Sequence, residues 1–295
     1  MATSTADGRA GIDAALVQRL IDAQFPQWTG LPVTPVEVDG WDNRTYRLGE
    51  AMTVRLPTAA GYVPGVAKES YWLPRLAPSL SVAVPTILGD GRPGAGYPYP
   101  WSVRDWIPGQ TASPQRIHDM ADFAVSLAEF LRALQGCSTL GGPTAGEHSF
   151  YRGASPAHYD QDTRRYLAAL DGRIDTTRAA AVWDAALAAR WHGTPVWFHG
   201  DIADGNLLVD DGRLVAVIDF GTSGVGDPAC DLVIAWTMFT GESRAAFRET
   251  VAQDDGTWAR ARGWALWKAL LLLAKDMTTE NQRVVNGILT DDESG

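Results

Sequence analysis

The most constraining feature of this sequence is a pair of acidic motifs on either side of a predicted hairpin. The first, "HGDIADGNLLV", runs from His199 to Val209, and the second, "DFG", follows at Asp219–Gly221. Between them, Asp211–Gly212 is typical of a two-residue hairpin turn. The chain therefore presents an Asp and an Asn five residues apart, then a strand, a turn and a second strand, and then another Asp.

This spacing matches the requirements of phosphoryl transfer. One carboxylate, at Asp201, would orient an attacking hydroxyl and accept its proton, while Asn206 and Asp219 would supply oxygen ligands for Mg²⁺ against nucleotide phosphates. His199 would brace the loop that carries Asp201. Either motif alone is weak evidence, but both in order across a hairpin indicate a kinase-type site.

The remaining pattern predicts two lobes of different character. Apolar periodicity predicts a helix over Ile12–Phe25, several short strands follow, and a second helix is expected over Val66–Pro78, ended or kinked at Pro74. The Pro/Gly-rich break at Ile107–Pro114 marks the predicted boundary, and the chain beyond it is mostly helical. We therefore expect an α+β protein with a nucleotide-binding lobe over residues 1–107 and a catalytic and substrate-binding lobe over residues 108–295.

Composition narrows the possible partners. The net charge of −10, from 25 basic and 35 acidic residues, argues against nucleic acid and is compatible with a cationic small molecule. The run "LWKALLLLA" (Leu266–Ala274) is too short to span a bilayer and predicts a buried helix, so no membrane partner is expected. Two widely separated cysteines and an N-terminus without an apolar segment predict a cytoplasmic protein with free thiols. The oligomeric state stays open.

The strings "FHGDIADGNLLV", "VIDFG" and "GVGDPACDL" give the chain a family resemblance. It resembles the aminoglycoside phosphotransferases, bacterial antibiotic kinases with a protein-kinase-like fold, and the likeness is most specific from Val196 to Trp236. The resemblance implies a bilobal kinase-like fold with a small antiparallel N-terminal lobe. It also implies an enzyme that uses Mg²⁺ and either ATP or GTP.

The resemblance assigns roles to individual residues. Asp201 matches the catalytic Asp of the family, and Asn206 and Asp219 match its metal ligands. Arg55, in "TVRLP", stands where many members carry a phosphate-binding Lys, and it keeps the positive charge while adding a bidentate fork. Glu69 on the following helix is expected to pair with Arg55.

The nucleotide is expected to contact two further regions. Asn43 lies at the tip that replaces the kinase glycine loop, although "GWDNRTYRLG" is not a glycine-loop motif. "WSVRDWIPG" matches the hinge, where the carbonyl of Asp105 and the N–H of Ile107 would pair with the base. Because these are backbone groups, the choice between adenine and guanine is open.

Substrate recognition is the least constrained assignment. The resemblance places acidic residues around a polycationic substrate, and the candidates here are Glu242, Asp160, Asp162 and Glu280. An aminoglycoside is the first expectation, with a macrolide kinase, a choline-like or other metabolite kinase, or an inactive nucleotide-binding protein as alternatives. A second set of residues is expected to be structural: Asp227 and Asp231 as caps and braces, and Trp236, Trp264 and Trp267 as core.

Overall fold

The computed structural model describes residue 9 and residues 11–37, 39–40 and 42–291. The N-terminal segment, residues 1–10, for which no signal peptide was expected, lies outside the described residues except for residue 9. Val38 and Trp41, near the predicted phosphate-binding tip, also lie outside them. Backbone contacts divide the chain into two units. The first contains the described residues up to Pro78, with Ala83–Gly109 and Ala216–Gly221, and the second contains Ser79–Val82, Gln110–Val215 and the described residues from Thr222 onward.

An antiparallel sheet dominates the first unit. Its order is β1-β2-β3-β5-β4, and every neighbouring pair is antiparallel. The strands are β1 (Val33–Pro35), β2 (Asn43–Leu48), β3 (Met52–Pro57), β4 (Ile87–Gly91) and β5 (Trp101–Asp105). The pairs β1–β2, β2–β3 and β4–β5 join strands that follow one another in the chain, whereas β3 and β5 are neighbours in the sheet although α2 (Val63–Leu76) and β4 lie between them in the sequence.

The core of the first unit lies between this sheet and α1 (Ala14–Gln24). Asp13 caps the helix by accepting a hydrogen bond from the Leu16 N–H at 2.7 Å. Val17, Leu20 and Ile21 have no exposed surface, and their spacing places them on one helical face. The predicted helix over 12–25 is thus confirmed within two residues at each end.

The second helix of this unit, α2, runs from Val63 to Leu76, three residues earlier than predicted. A proline near its first turn suits a helix start, because the missing N–H would be unpaired there anyway. Pro74 does not end the helix, which continues for two residues and then passes into a 3₁₀ turn at Ala77–Ser79. This helix matters for the site because it buries Glu69 against the sheet.

The short strands that form or flank the predicted hairpin belong to the second unit, except for Ala216 and Val217, which belong to the first. They are β6 (Gln110–Thr111), β7 (Val196–Phe198), β8 (Leu207–Asp210), β9 (Arg213–Val217) and β10 (Gly224–Gly226), in sheets ordered β6-β8-β9 and β10-β7. Asp211 and Gly212 join β8 to β9 with φ values of +43° and +71°. Two consecutive left-handed residues are the signature of the hairpin turn expected from Asp-Gly, so this prediction is confirmed.

Helices form the rest of the second unit. They are α3 (Met120–Gln135), α4 (Asp160–Ala169), α5 (Thr176–Ala188), α6 (Ile234–Thr237), α7 (Gly241–Val251), α8 (Asp255–Lys275) and α9 (Thr279–Thr290). The long helix α8 packs against α4, α5 and α9, and "LWKALLLLA" lies in its second half. Among the described residues, no helix combines the length and the apolar character needed to cross a membrane.

Candidate active site

Asp231 holds the loop that follows β7. Its carboxylate is fully buried and accepts the backbone N–H groups of His199 and Gly200 at 2.7 and 2.6 Å. Burial raises the pKa of Asp231, although the nearby His199 and these N–H groups act in the opposite direction. Asp227 caps the adjacent 3₁₀ turn through the Ala229 N–H and accepts a bidentate contact from Arg260. Both aspartates therefore have the bracing roles expected from the sequence.

His199 supports the loop from inside. Its side chain is completely buried, and its Nδ1 accepts a hydrogen bond from the Asp201 backbone N–H at 3.2 Å. An accepting Nδ1 places the ring proton on Nε2. His199 therefore positions the backbone of Asp201, which is the bracing role predicted for it.

Asp201 and Asn206 lie together, as their spacing predicted. The Asn206 side-chain amide donates to the Asp201 carbonyl at 2.8 Å and to its carboxylate Oδ2 at 3.1 Å. Those contacts use the amide nitrogen and leave the Asn206 Oδ1, the atom suited to a hard cation, outside this interaction. The loop thus presents one carboxylate and one amide oxygen from the same short segment.

Lys268, on α8, forms an ion pair with Asp201 that the sequence analysis did not predict. Its ammonium lies 2.9 Å from the Asp201 Oδ1. Burial raises the pKa of Asp201, but the charge and hydrogen bond of Lys268, together with the charges of His199 and Arg152, outweigh it, and the net pKa lies below its ordinary value. Asp201 is therefore ionised at neutral pH. The single charged residue within the apolar run Leu266–Ala274 was the signal available in the sequence.

A pocket opens beside Asp201 within the second unit. Its lining comes from the loop that follows β7, from the 3₁₀ segment that follows β10, and from α8, together with Arg152. The lining residues are Arg152, Gly200, Asp201, Ile202, Cys230, Val233, Trp264, Trp267 and Lys268. Trp236, Trp264 and Trp267 are buried as predicted, and the last two also form part of this wall.

In the first unit, Arg55 of β3 pairs with Asp219. The guanidinium lies 2.9 Å from the carboxylate, and its side chain is 12% exposed. Burial lowers the pKa of Arg55, but Asp219 and Glu69 outweigh it and raise the net value. Asp219 adopts a left-handed backbone conformation with φ of +68°. A cation is thus held against the carboxylate that the resemblance assigns to metal.

Glu69 makes its strongest contact with a residue other than the predicted one. Its carboxylate receives two hydrogen bonds from Arg104 of β5, at 2.9 and 2.7 Å, whereas Arg55 lies 3.9 Å away. Glu69 also accepts the Phe220 N–H at 3.0 Å. Burial raises the pKa of Glu69, but the nearby cations, Arg104 first, lower the net value to about 2. Glu69 therefore links α2, the sheet and the segment next to Asp219.

The other residues expected to contact the nucleotide, Asn43 at the phosphates and Asp105 and Ile107 at the base, lie at or just beyond the ends of strands in the first unit. Asn43 begins β2 opposite Pro57. Asp105 ends β5, where its carboxylate accepts the Thr86 N–H at 2.8 Å, and Ile107 lies two residues beyond. The structure leaves the predicted contacts of these residues with a nucleotide as predictions.

The acidic residues expected to bind a cationic substrate lie on helix surfaces of the second unit. Asp160 contacts Arg164 at 3.0 Å and also accepts the Trp183 N–H. Asp162 pairs with Arg165 and Glu280 with Arg283, each within its own helix. Glu242 is exposed in the first turn of α7. Their role in substrate binding stays a prediction, and three of the four already have an arginine partner.

The predicted metal ligands are Asn206 and Asp219. Within residues 9, 11–37, 39–40 and 42–291, no group of three or more His, Cys, Asp or Glu side chains is arranged to hold an ion. The predicted ligands, Asn206 and Asp219, are one amide and one carboxylate, which is the oxygen chemistry that Mg²⁺ takes when phosphate oxygens complete its shell. The donor types therefore fit a metal that arrives with a nucleotide.

Known proteins resemble this chain in sequence and in fold. Residues 33–264 match the phosphotransferase enzyme family. Among curated proteins, the uncharacterized protein YcbJ of Bacillus subtilis (strain 168) is 25% identical over 146 residues. That match covers 47% of this chain and 46% of the relative, so it spans about half the length of either protein.

Solved structures resemble the chain over nearly its whole length. The GDP complex of aminoglycoside 2'-phosphotransferase-IIIa is 17% identical, with a TM-score of 0.69 over 94% of this chain and 96% of that one. Macrolide 2'-phosphotransferase MphH of Brachybacterium faecium is 23% identical, with a TM-score of 0.59 over 96% of this chain and 99% of that one. At these identities the likeness shows the fold, and the expected kinase-like α+β architecture is confirmed.

Proposed function

Because this chain belongs to the phosphotransferase enzyme family, we propose that it transfers the terminal phosphoryl group of a nucleoside triphosphate to a hydroxyl group of a small molecule. The observation that carries the proposal is Asp201. Its ionised carboxylate lines a pocket, and its backbone is held by His199 in a loop that Asp231 fixes. A positioned carboxylate at the edge of a pocket is what a kinase needs to orient an alcohol.

The proposed reaction exchanges one P–O bond for another. The acceptor oxygen forms a bond to the terminal phosphorus while the bond to the bridging oxygen of the nucleotide breaks, and the nucleoside diphosphate leaves. Asp201 orients the hydroxyl and takes its proton late in the transfer, since the transition state is loose and develops little need for early deprotonation. The products are a phosphate ester and the diphosphate.

Other residues are proposed to manage phosphate charge. Arg55 would neutralise phosphate oxygens, because its buried guanidinium offers a bidentate fork and already binds a carboxylate. The resemblance assigns Asn206 and Asp219 to Mg²⁺, and we keep that assignment in the proposal. When bound, the metal would offset the negative charge of the phosphates. The donor is ATP or GTP, with Asn43, Asp105 and Ile107 kept as proposed contacts.

The acceptor is proposed to be a small alcohol. An aminoglycoside was the first expectation from the sequence, but the acids on which it rests are mostly engaged by arginines, and the pocket beside Asp201 carries two cations. A macrolide or metabolite acceptor fits the same reaction. An inactive nucleotide-binding protein would keep the fold and form no phosphate ester.

A pair of variants in one loop tests the proposal. Asp201→Asn should lower kcat by a factor of about 10² or more, because positioned proton-accepting groups contribute at least that much. Nucleotide affinity should stay near the wild-type value. Asp204→Asn makes the same change at an exposed loop position and serves as the control. Phosphate transfer to a panel of alcohols, with ATP and GTP in parallel, is the assay. Near-normal turnover by the Asp201 variant would exclude its role.

A metal-dependence measurement completes the test. Asp219→Ala should abolish the Mg²⁺-dependent part of nucleotide binding, measured by calorimetric titration with and without Mg²⁺. The physical reason is that a metal–phosphate complex would lose a charged ligand. An unchanged affinity in this variant would remove Asp219 from the metal assignment.

A further inference from the structure

The pocket beside Asp201 has a wall that carries more positive than negative charge. Arg152 and Lys268 contribute cations, and Asp201 contributes the anionic side chain among the lining residues. Cys230 also lines the pocket, and burial raises its pKa well above the usual value, so its thiol stays neutral. The wall is therefore matched to a ligand that brings negative charge.

Arg152 is the cation in this wall that is free to bind a ligand. Among the described residues, no carboxylate lies within ion-pair distance of it, and its hydrogen bond is to the Phe150 carbonyl at 3.3 Å. The guanidinium lies over the rings of Trp267 and Trp264, at 4.6 and 5.4 Å from their centroids. The aromatic faces orient the guanidinium without neutralising it. By contrast, Arg260 on the same helix as these tryptophans is fully paired with Asp227.

The two tryptophans beside Arg152 are buried in the pocket wall. Trp264 and Trp267 are 2% and 7% exposed, and neither indole N–H has a hydrogen-bond partner within the described part of the chain. Both residues line the same pocket, and their rings lie against the Arg152 guanidinium. The tryptophans therefore hold this cation in the pocket wall.

The ion pair between Lys268 and Asp201 adds a constraint on the ligand. The ammonium is already 2.9 Å from the carboxylate that is proposed to receive the acceptor hydroxyl. A polycationic acceptor would therefore have to bring its amines toward Lys268 and Arg152, and like charges at short distance repel. An anionic acceptor meets the opposite situation, because its negative group can bind Arg152 while its hydroxyl approaches Asp201.

We infer that the acceptor is a small alcohol that also carries an oxyanion, a carboxylate or a phosphate group, and that Arg152 binds this group while Asp201 binds the hydroxyl. The inference rests on the proposed function and adds the chemical class of the substrate. Guanidinium groups match the planar, two-oxygen edge of carboxylates and phosphates. The phosphoryl transfer itself is unchanged, with the hydroxyl proton passing to Asp201 and the nucleoside diphosphate leaving.

Matched alcohols test the charge preference. One carbon skeleton is offered as glycerate, glyceramide, glycerol 3-phosphate, glycerol and 3-amino-1,2-propanediol, and a sugar series compares gluconate with glucose. Kanamycin serves as the polycation. We expect kcat/KM for the anionic members to exceed that of neutral members by about tenfold or more, as expected for a charge-assisted hydrogen bond. The carboxylate and phosphate arms separate the two forms of oxyanion.

Arg152 variants connect the preference to the pocket. Arg152→Gln should raise KM for the anionic members about tenfold or more and abolish their advantage, and Arg152→Lys should restore part of it. Arg164→Gln, on the exposed surface of α4, is the matched control. Preference for neutral or cationic acceptors, or an anionic preference that survives in Arg152→Gln, would overturn the inference.

A binding measurement keeps the inference separate from the proposed function. Phenylglyoxal modifies accessible arginines, and mass spectrometry can follow its reaction with Arg152. Inorganic phosphate and malonate should each slow that modification, while methylamine should not. Absence of protection by both anions would refute the inference even if some alcohol is phosphorylated. Protection without phosphorylation of any alcohol would support the anion site and count against the proposed function.

Discussion

Replacing Arg104 with Met should destabilise the first unit strongly, because Arg104 is the main partner of a buried carboxylate. Arg104 and Glu69 are only 3% and 4% exposed and lie 2.7 Å apart. Removing one partner of such a pair costs about 3–5 kcal/mol, since the other charge stays buried without compensation. Methionine keeps most of the side-chain volume, so the loss reports on charge more than on packing.

The remaining contacts of Glu69 set the expected value within that range. At an effective dielectric constant of about 20, opposite charges 2.7 Å apart attract by about 6 kcal/mol, and charges 3.9 Å apart by about 4 kcal/mol. Arg55 therefore retains a substantial part of the attraction in the variant, and the Phe220 N–H still donates to Glu69. We expect a loss of about 3 kcal/mol, at the lower end.

The free energy of unfolding lost in Arg104→Met should depend on pH, because the lost ion pair requires an ionised Glu69. The pKa of Glu69 is lowered from 4.5 to about 2, so its stabilising contribution is fully present above pH 4.5 and is lost as the pH falls through about 2. The difference between wild type and Arg104→Met should therefore be largest near pH 7. It should shrink progressively once the pH falls below about 4.5.

Urea unfolding at several pH values measures these free energies, and hydrogen exchange at β3 and β5 assigns the loss to the first unit. Arg164→Met is the control, because it removes exposed ion pairs with Asp160 and Asp184. Such pairs contribute about 0–1 kcal/mol. If Arg104→Met costs no more than the control, or if its effect is the same at pH 7 and pH 3, the electrostatic account of Glu69 is wrong.

The remaining predictions concern the second unit. Lys268→Met should raise the pKa of Asp201, because burial then acts without the opposing ammonium. The acid limb of the kcat–pH profile should therefore move to higher pH, whereas Lys268→Arg should keep it in place. An unmoved limb in the Met variant would contradict the role of Lys268 in lowering this pKa. Gly153→Ala should cost about 2–5 kcal/mol in urea unfolding, because φ is +76° and an added Cβ would lie 2.0 Å from the Phe198 ring. Gly172→Ala has nearly the same φ, +71°, but open space around it, so its cost should be about 1–2 kcal/mol, and equal losses in both variants would rule out the steric argument.

Local sequence determined the parts of the site in which neighbours along the chain interact. The five-residue spacing of Asp201 and Asn206 brings both side chains into one loop, where they are hydrogen-bonded. Asp211–Gly212 forms the expected turn because few other residue pairs adopt two left-handed conformations in succession. The boundaries of α1 follow from its cap and its apolar face in the same way.

Local sequence patterns predicted the course of α2 less well, because this helix contains a proline. The helix predicted over Val66–Pro78 was expected to end or kink at Pro74, and it does not end there, since it continues to Leu76. Losing one backbone hydrogen bond near a helix end can be offset when the same turn is packed, and Leu73 and Leu76 are both buried. The sequence shows the proline, whereas the packing that offsets its cost depends on the folded unit.

Tertiary structure alone decided which charges meet. Lys268 is 67 residues from Asp201 along the chain, and Arg104 is 35 residues from Glu69. Arg152 lies in a segment without helical or strand periodicity, so no pattern marked it as part of a pocket wall. The sequence therefore indicated the candidate residues for phosphoryl transfer, because that chemistry depends on residue type and short spacing. Only the fold determined the charge of the pocket beside Asp201, because the electrostatic field at a site is the sum over residues that packing brings together from distant parts of the chain.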